Sequence, residues 1–361
     1  MKKIEFALKN VLLRIMLHFN SVNKKNESIK LAPDSTILFI RLNKIGDALV
    51  TTPLIKLIKE KTGCRVTILA DRKNHFIFND PDLYDEIFIF QKGFGAFKKL
   101  VKKLNALKFD AVIDLHDDVS TTVSFLIASI HAPVKIGLQK GNENIYTYIV
   151  NKLAPDSNHV VLRILEFAKV FDIKYNLENI NIHFPLNESS LNKINKFIKS
   201  NYNGNFDNKF LAGVNISAGS DARFWGVNRF KKIISFLENY DLNILIISTE
   251  NEKHLADKIS DNKYPVFTTP DFNEFAAAVS KLNFLFTPDT SIVHLASAYE
   301  IPMFGIYVKY NTPDMIWSPF KSDFDCVITE EPNFKNLDYD QVKEKFKTFF
   351  EKIYEQRNTK M

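Results

Sequence analysis

The feature that most constrains this chain is an alternation of short apolar runs with amphipathic stretches, which begins at Thr36, lapses, and begins again at Phe210. Runs of this length, bounded by turn residues, fit strands buried on both faces. Their alternation with helical stretches gives parallel sheets covered by helices. In the first half, strands are expected at 36–41, 65–70, 86–90 and 111–115, with helices at 47–61, 97–107, 121–130 and 160–170. The chain then turns polar and Asn-rich over 176–208, around one short helix at 189–198. Afterwards strands are expected at 210–217, 243–247, 266–267, 284–287 and 302–307, and helices at 228–239, 252–259, 272–279 and 291–298. An amphipathic tail at 339–354 reads as a helix returning to pack on the first half. With 361 residues there is chain enough for two cores. The expected fold is therefore α/β, two Rossmann-like domains facing a cleft, with ligands beyond the carboxyl ends of the strands. Its divisions are a leader at 1–33, domains at 34–185 and 205–335, and a terminal helix at 336–361.

Charge is informative through its distribution. The net +6 resides mostly in the first thirty residues, where Lys2, Lys3, Lys9, Arg14, Lys24, Lys25 and Lys30 face only Glu5 and Glu27. A body so near neutrality argues against nucleic-acid binding. Lys9 and Arg14 interrupt the leader's apolar run and no small-residue cleavage site follows, so it does not read as a signal peptide. No apolar stretch is long enough to span a bilayer. Ile4, Leu8, Val11, Leu12, Ile15, Met16 and Phe19 instead share one helical face, with the cations largely off it and a polar tether at 20–30 behind. Such a helix suits an anionic membrane surface, or it docks its stripe onto the protein itself. The 32 Phe residues read as a compositional bias of the source. Cys64 and Cys326 form no cluster, which fits a reducing compartment without structural zinc.

Four segments carry residues suited to chemistry, and each has a plainer structural reading. After the first strand comes Arg41-Leu42-Asn43-Lys44-Ile45-Gly46-Asp47, followed by Thr51-Thr52-Pro53. Local spacing alone makes Asp47 a helix N-cap, a role that stabilises by about 0.5–2 kcal/mol. The functional reading is a carboxylate at the mouth of a cleft that takes a proton from a hydroxyl, an effect of about 10²–10⁴-fold. The second segment runs from Asn215 through Ser217, Ala218 and Gly219 to Arg223 and Trp225; its small residues let backbone N–H groups approach an anion, and Arg223 adds a fork of donors. Trp225 reads as core.

The third segment, Thr287-Pro288-Asp289-Thr290-Ser291-Ile292-Val293-His294, is a strand-to-helix junction whose amides would suit a diphosphate. Asp289 as N-cap and His294 as a core histidine meet the same pattern. Fourth, Glu252 follows a strand and could accept hydrogen bonds from a ribose, though acids favour the first turn of any helix. His116-Asp117-Asp118 has no second cluster at ligand spacing and reads as a solvated loop, not a metal site. No Walker A loop, nucleophile elbow or G-x-G-x-x-G occurs, which disfavours nucleotide hydrolases, esterases and classical dehydrogenases.

In this order and spacing the segments resemble glycosyltransferase family 9, the heptosyltransferases of lipopolysaccharide core assembly. The resemblance spans roughly residues 36–319, through Ile45-Gly46-Asp47 with Thr51 to Pro53, Ile136-Gly137, Arg223-x-Trp225, Glu252, Asp289-Thr290-x-x-x-His294, and Phe304-Gly305. It implies an inverting glycosyltransferase of GT-B architecture that needs no metal or other cofactor. The first domain would take the acceptor and the second a nucleotide-diphosphate sugar such as ADP-heptose. Asp47 would be the general base, with Arg41, Asn43 and Thr51 on the acceptor side. Ser217, Ala218, Arg223, Glu252, Asp289, Thr290, Ser291 and His294 would line the donor site. The implied acceptor is a lipid-linked glycan, and the implied place is cytoplasmic, peripheral on the inner face of the cytoplasmic membrane. Five positions depart from the family pattern: Arg223 for Lys, Gly226 for Pro, Ser248 and Thr249 for glycines, and Ser291 for Gly. They mark a divergent member whose donor need not be ADP-heptose. A silent binding protein or a sugar-nucleotide epimerase on the same fold is the alternative; retention of Asp47 and of residues 289–294 counts against the first, and an epimerase would act without an acceptor.

Overall fold

The computed structural model describes residues 2–20, 22–25, 27–78, 80–202 and 209–358. The chain divides into two units, Met1–Phe184 and Pro185–Met361. In the first, the strands are β1 (Thr36–Arg41), β2 (Arg65–Asp71), β3 (Glu86–Phe90), β4 (Ala111–Asp114), β5 (Val134–Leu138) and β6 (Tyr148–Val150). They lie in the order β3-β2-β1-β4-β5-β6, and every neighbouring pair is parallel. The helices are α1 (Lys2–Phe19), α2 (Ile45–Leu49), α3 (Thr52–Thr62), α4 (Phe94–Ala106), α5 (Thr121–Ser129) and α6 (Val160–Leu165).

The second unit opens with α7 (Glu188–Asn201). It continues as β7 (Phe210–Asn215), α8 (Val227–Leu237), β8 (Leu242–Ser248), α9 (Lys253–Ser260), β9 (Val266–Thr268), α10 (Phe272–Ser280), β10 (Phe284–Pro288), α11 (Ile292–Ala298), β11 (Met303–Val308), β12 (Phe324–Thr329) and α12 (Tyr339–Asn358). Its sheet is also all parallel, in the order β12-β11-β10-β7-β8-β9. Both sheets are Rossmann-like, with the strand order reversing beside β1 and β4 in one and beside β7 and β10 in the other. Crevices for ligands open at such reversals.

The expected strands are all present, while β5, β6 and β12 went unread. β6 is only three residues long and β12 is an edge strand, half-buried along most of its length. Neither offers a long apolar run for a pattern to register. The single helix expected at 47–61 is two. Pro53 stands at the start of α3 and has no N–H to carry an α2 ladder onward. The Thr51 and Thr52 hydroxyls bond back to the Ala48 and Leu49 carbonyls, each at 2.7 Å, and close the break. Likewise the helix expected at 160–170 is α-helical only through Leu165, then tightens to 3₁₀ over Glu166–Phe171.

The terminal helix corrects the expectation that it returns to the first half. Phe346, Phe350 and Ile353 of α12 are buried in one cluster with Phe210, Phe284, Phe286 and Phe304 of the second sheet. The Phe284 and Phe350 rings meet edge to face at 5.1 Å, and Phe304 and Phe346 at 5.4 Å. Each such pair adds about 0.5–1.5 kcal/mol beyond burial. The Tyr240 hydroxyl donates to Glu351 Oε1 at 2.6 Å. A Phe-lined sheet face is thus matched by the apolar stripe of the terminal helix of the same unit. Trp225 lies in the same core, its Nε1–H on the Leu337 carbonyl at 2.7 Å.

The leader is also bound more closely than a tether would be. Leu13 is buried and Met16 and Leu17 are half-buried against the first core, while Asn144 Nδ2 donates to the Leu17 carbonyl at 3.1 Å. Lys25 N–H bonds the Thr147 carbonyl and Ile29 N–H the Val170 carbonyl, both at 2.8 Å. The stripe expected on one face splits in two: Met16 turns inward, and Val11, Leu12, Ile15 and Phe19 stay exposed. The side chains of Ile4 and Leu8 lie outside the described residues.

Candidate functional site

In the first unit the loops after β1, β4 and β5, three neighbouring strands, bring the polar groups together. Asp47 is not the N-cap of α2. Lys44 holds that position and makes no capping bond, leaving Asp47 in the first turn. Its carboxylate is held from the strand side: Arg41 Nη2 lies 2.7 Å from Asp47 Oδ1, and Arg41 Nε donates to the Asp47 carbonyl at 3.0 Å. The Arg41 side chain is only 2% exposed, while that of Asp47 is 23% exposed and open to a solute. Arg41 therefore cannot greet an acceptor; its guanidinium, which also reaches the Leu115 carbonyl, is an internal strut. Burial depresses the Arg41 pKa, against the support of Asp47 and Asp114.

The other acceptor-side residues fare differently. Asn43 is exposed beside Asp47 with φ +95°, a left-handed conformation that Asn tolerates better than most side chains. Thr51 is fully buried with its hydroxyl on Ala48, so it shapes the turn between α2 and α3.

Behind this loop stands a buried network that sequence reasoning missed. His116 is buried rather than part of a solvated loop. Its Nδ1 lies 2.7 Å from Asp114 Oδ1, and the Leu42 N–H points to its Nε2 at 3.2 Å. A carboxylate only accepts, so Nδ1 carries the proton and Nε2 is free to accept. Burial lowers the His116 pKa, outweighing Asp114, so the ring is neutral near neutral pH. Asp114 Oδ2 takes Lys140 Nζ at 2.8 Å and the Tyr146 hydroxyl at 2.6 Å, and Lys140 also donates to the His116 carbonyl at 2.6 Å. Burial alone would raise the Asp114 carboxyl, but Lys140 and His116 together hold it well below the usual carboxylate range.

Gly137 makes this network possible, because a Cβ there would lie 2.3 Å from the Tyr146 ring. Asp117 turns instead to the buried Arg163, with Nη1 at 2.8 Å, and Asp118 is exposed. Among the described residues no group of three His, Cys, Asp or Glu side chains converges as a ligand set.

In the second unit the loops after β8, β7 and β10, again neighbours, converge. Asn215 Nδ2 donates to Thr287 Oγ1 at 2.9 Å, tying β7 to β10. Thr249 N–H donates to Ser217 Oγ at 2.8 Å, and the Thr249 hydroxyl to Glu252 Oε2 at 2.7 Å. Ala218 N–H points at Glu252 Oε1 from 3.5 Å. Across the reversal, Arg223 Nη1 lies 3.1 Å from both the carbonyl and Oδ2 of Asp289. Ser291, not Asp289, occupies the N-cap of α11, with φ −60°. Ordinary helical backbone there needs no glycine, which accounts for the serine. Gly226 caps α8 at φ +103°, a conformation closed to proline. His294 is buried, its ring 5.9 Å from that of Trp317. The structure thus gathers Ser217, Ala218, Arg223, Glu252 and Asp289 at three strand ends, with Thr290 and Ser291 at the start of α11.

The family model of glycosyltransferase family 9 (heptosyltransferase) matches residues 97–347. The chain belongs to glycosyltransferase family 9. It is an enzyme, a glycosyltransferase. This family 9 member is 24% identical over 349 residues to a protein of Escherichia coli (strain K12) provisionally named lipopolysaccharide heptosyltransferase 4, covering 93% of each chain. Its fold is similar to that of a family 9 glycosyltransferase from Veillonella parvula, with a TM-score of 0.74 at 20% identity, over 90% of this chain and 99% of the other. It is also similar to the E. coli heptosyltransferase WaaC solved with ADP, with a TM-score of 0.65 at 15% identity, over 87% and 99% of the two chains. The same TM-score holds for WaaC with ADP-2-deoxy-2-fluoro heptose. The family 9 chain therefore has the GT-B fold, two Rossmann-like units, as its sequence resemblance implied.

Proposed function

We propose that this enzyme is an inverting transferase that moves a heptose-like sugar from a nucleotide-diphosphate donor, ADP-heptose by analogy with WaaC, to a lipid-linked glycan such as lipopolysaccharide core. The observation that carries the reading is Asp47, a partly exposed carboxylate gripped by a buried guanidinium at the carboxyl end of β1. Asp47 takes the proton from the acceptor hydroxyl as its oxygen attacks the anomeric carbon. The bond from that carbon to the diphosphate oxygen breaks with its electron pair on the leaving nucleoside diphosphate. One displacement inverts the anomeric centre.

In the second unit Arg223 balances the diphosphate, leaving Asp289 to take the new charge, so no divalent cation or other cofactor is required. Glu252 accepts from the ribose, the loop at Ser217 and Ala218 lines the donor beside it, and Thr290, Ser291 and His294 flank its diphosphate and sugar end. The acceptor side is Asn43 together with Asp47, with Arg41 and Thr51 acting from beneath. The lipid anchor of the acceptor would place the enzyme on the inner face of the cytoplasmic membrane, with α1 at an anionic surface. Among the described residues no helix is long and apolar enough to cross it. The deciding experiment is a panel of nucleotide diphosphates and their sugar conjugates: ligands that bind the folded state raise the thermal midpoint by mass action. ADP and an ADP-sugar are expected to do so, and the ADP-sugar to yield glycosylated acceptor with EDTA present. Folded protein unmoved by every nucleotide would defeat the donor assignment.

A further inference from the structure

We propose that α1 and α4 form one membrane-interface surface, in which Val11, Ile15, Phe19 and Phe94 enter the acyl boundary and the α4 lysines meet anionic lipid headgroups. This rests on the lipid-linked acceptor reading and extends it from the leader to a second helix.

The first observation is that α1 has two apolar stripes and the fold uses one. Leu13, Met16 and Leu17 pack inward. Val11, Ile15 and Phe19, spaced four apart and so in line on the helix, are exposed, Phe19 to 80%. Leu12 beside them is exposed as well. Among the described residues of the first unit, no packing contact accounts for this second stripe.

The second observation is α4. Its Leu100 and Leu104 are buried, and Phe97 and Val101 packed, in the same cluster that receives Met16 and Leu17. Both helices therefore cover one face of the first sheet. α5 links them: it packs against α1, and Asn105 of α4 bonds the Ser129 carbonyl and the His131 N–H at the end of α5. The outward side of α4 carries Lys98, Lys99, Lys102 and Lys103, all exposed, with no acidic residue in the helix and Lys92 and Lys108 flanking it. Among the described residues none of the four helix lysines pairs with a carboxylate. At the head of this row Phe94 is 75% exposed, with Lys98 Nζ 4.5 Å from its ring centroid.

Large apolar side chains beside unpaired lysines are what a bilayer rich in anionic headgroups complements. A second copy of the chain is a poor occupant. Meeting through the same face it would set lysines against lysines, which is repulsive.

The test uses the full chain in sedimentation with phosphatidylcholine vesicles, with and without phosphatidylglycerol. The protein is expected to bind the anionic vesicles and to be released by salt. Replacing Lys98, Lys99, Lys102 and Lys103 together by Gln is expected to weaken binding by at least about tenfold. Ile15→Ser with Phe19→Ser, and Phe94→Ser alone, are each expected to weaken it with the thermal midpoint kept. All three variants are expected to retain transfer to a soluble acceptor fragment. Undiminished binding by the lysine variant, with loss in the α1 variant, would overturn the composite surface and leave the leader alone. Failure of the parent protein to bind either vesicle would overturn the surface altogether, while transfer to the soluble fragment would still stand as a separate result. Concentration-dependent self-association abolished by these same substitutions, without vesicle binding, would also overturn it.

Discussion

Arg41 Nη2 stands 2.7 Å from Asp47 Oδ1 while Arg41 Nε holds the carbonyl of the same residue at 3.0 Å. One buried side chain at the end of β1 thus fixes both the position and the direction of a carboxylate on the next helix. Planar forks do this and ammonium groups do not. Arg41→Lys is expected to keep the charge and the fold but let Asp47 drift. Misplacement by about 1 Å costs turnover about 10²-fold, so kcat should fall by that order with donor affinity unchanged. Parallel losses in donor affinity and kcat would indicate a general structural effect instead.

Arg223 and Asp289 sit on opposite sides of the second reversal and hold one another at 3.1 Å. If the guanidinium serves the diphosphate, Arg223→Ala should weaken ADP by about 10–100-fold, the scale of a hydrogen bond to a charged group. Adenosine, which lacks the phosphates, should bind both proteins alike. Titration calorimetry with the two ligands separates the outcomes, and equal losses for both would remove Arg223 from the phosphate site.

The His116 ring is buried neutral, its pKa held below the ordinary histidine value by burial. Unfolding lets it take a proton, so the stability it confers is full above about pH 6.5 and declines as pH falls towards its folded pKa. Asp114, lowered in the fold, adds a second loss once pH falls below about 3.8. Thermal midpoints across this range should therefore slope downward with acid. His116→Gln should flatten the limb nearest pH 6 and also shrink the lower one, because His116 helps hold the Asp114 carboxyl low; an unchanged upper limb would show that another group carries it.

How much of this could be read in advance follows from where each signal lies. The strands β1, β7, β8 and β10 are largely apolar runs, and Asp47, Arg223, Glu252 and Asp289 each follow one of them closely, so the order of parts was plain. What each side chain touches was not. Asp47 and Asp289 both looked like caps, yet Lys44 and Ser291 occupy those places. Asp114 ends β4 while Lys140 and Tyr146 lie 26 and 32 residues further on, in the connection from β5 to β6, and only the pairing of β4 with β5 makes them neighbours. The piece Ile136-Gly137 was the visible trace of that network, because the glycine is where the tyrosine ring must pass. The terminal helix was misplaced because an apolar stripe declares a need for a partner without naming it.

That reading of Gly137 has its own consequence. Gly137→Ala would put a methyl within 2.3 Å of the Tyr146 ring and push its hydroxyl off Asp114. Overpacking of this kind costs about 1–3 kcal/mol. The thermal midpoint should fall by about 2–4 °C per kcal/mol, and Tyr146→Phe in the same background should recover none of it. A midpoint equal to that of the parent would mean the ring has room to move.

The central claim is that Asp47 is the base. Single-turnover transfer by Asp47→Asn, at saturating donor and with donor affinity measured on the same protein, tests it most directly. The account predicts a rate lower by about 10²–10⁴-fold with donor affinity nearly intact. A variant that transfers sugar at the parent rate would contradict it.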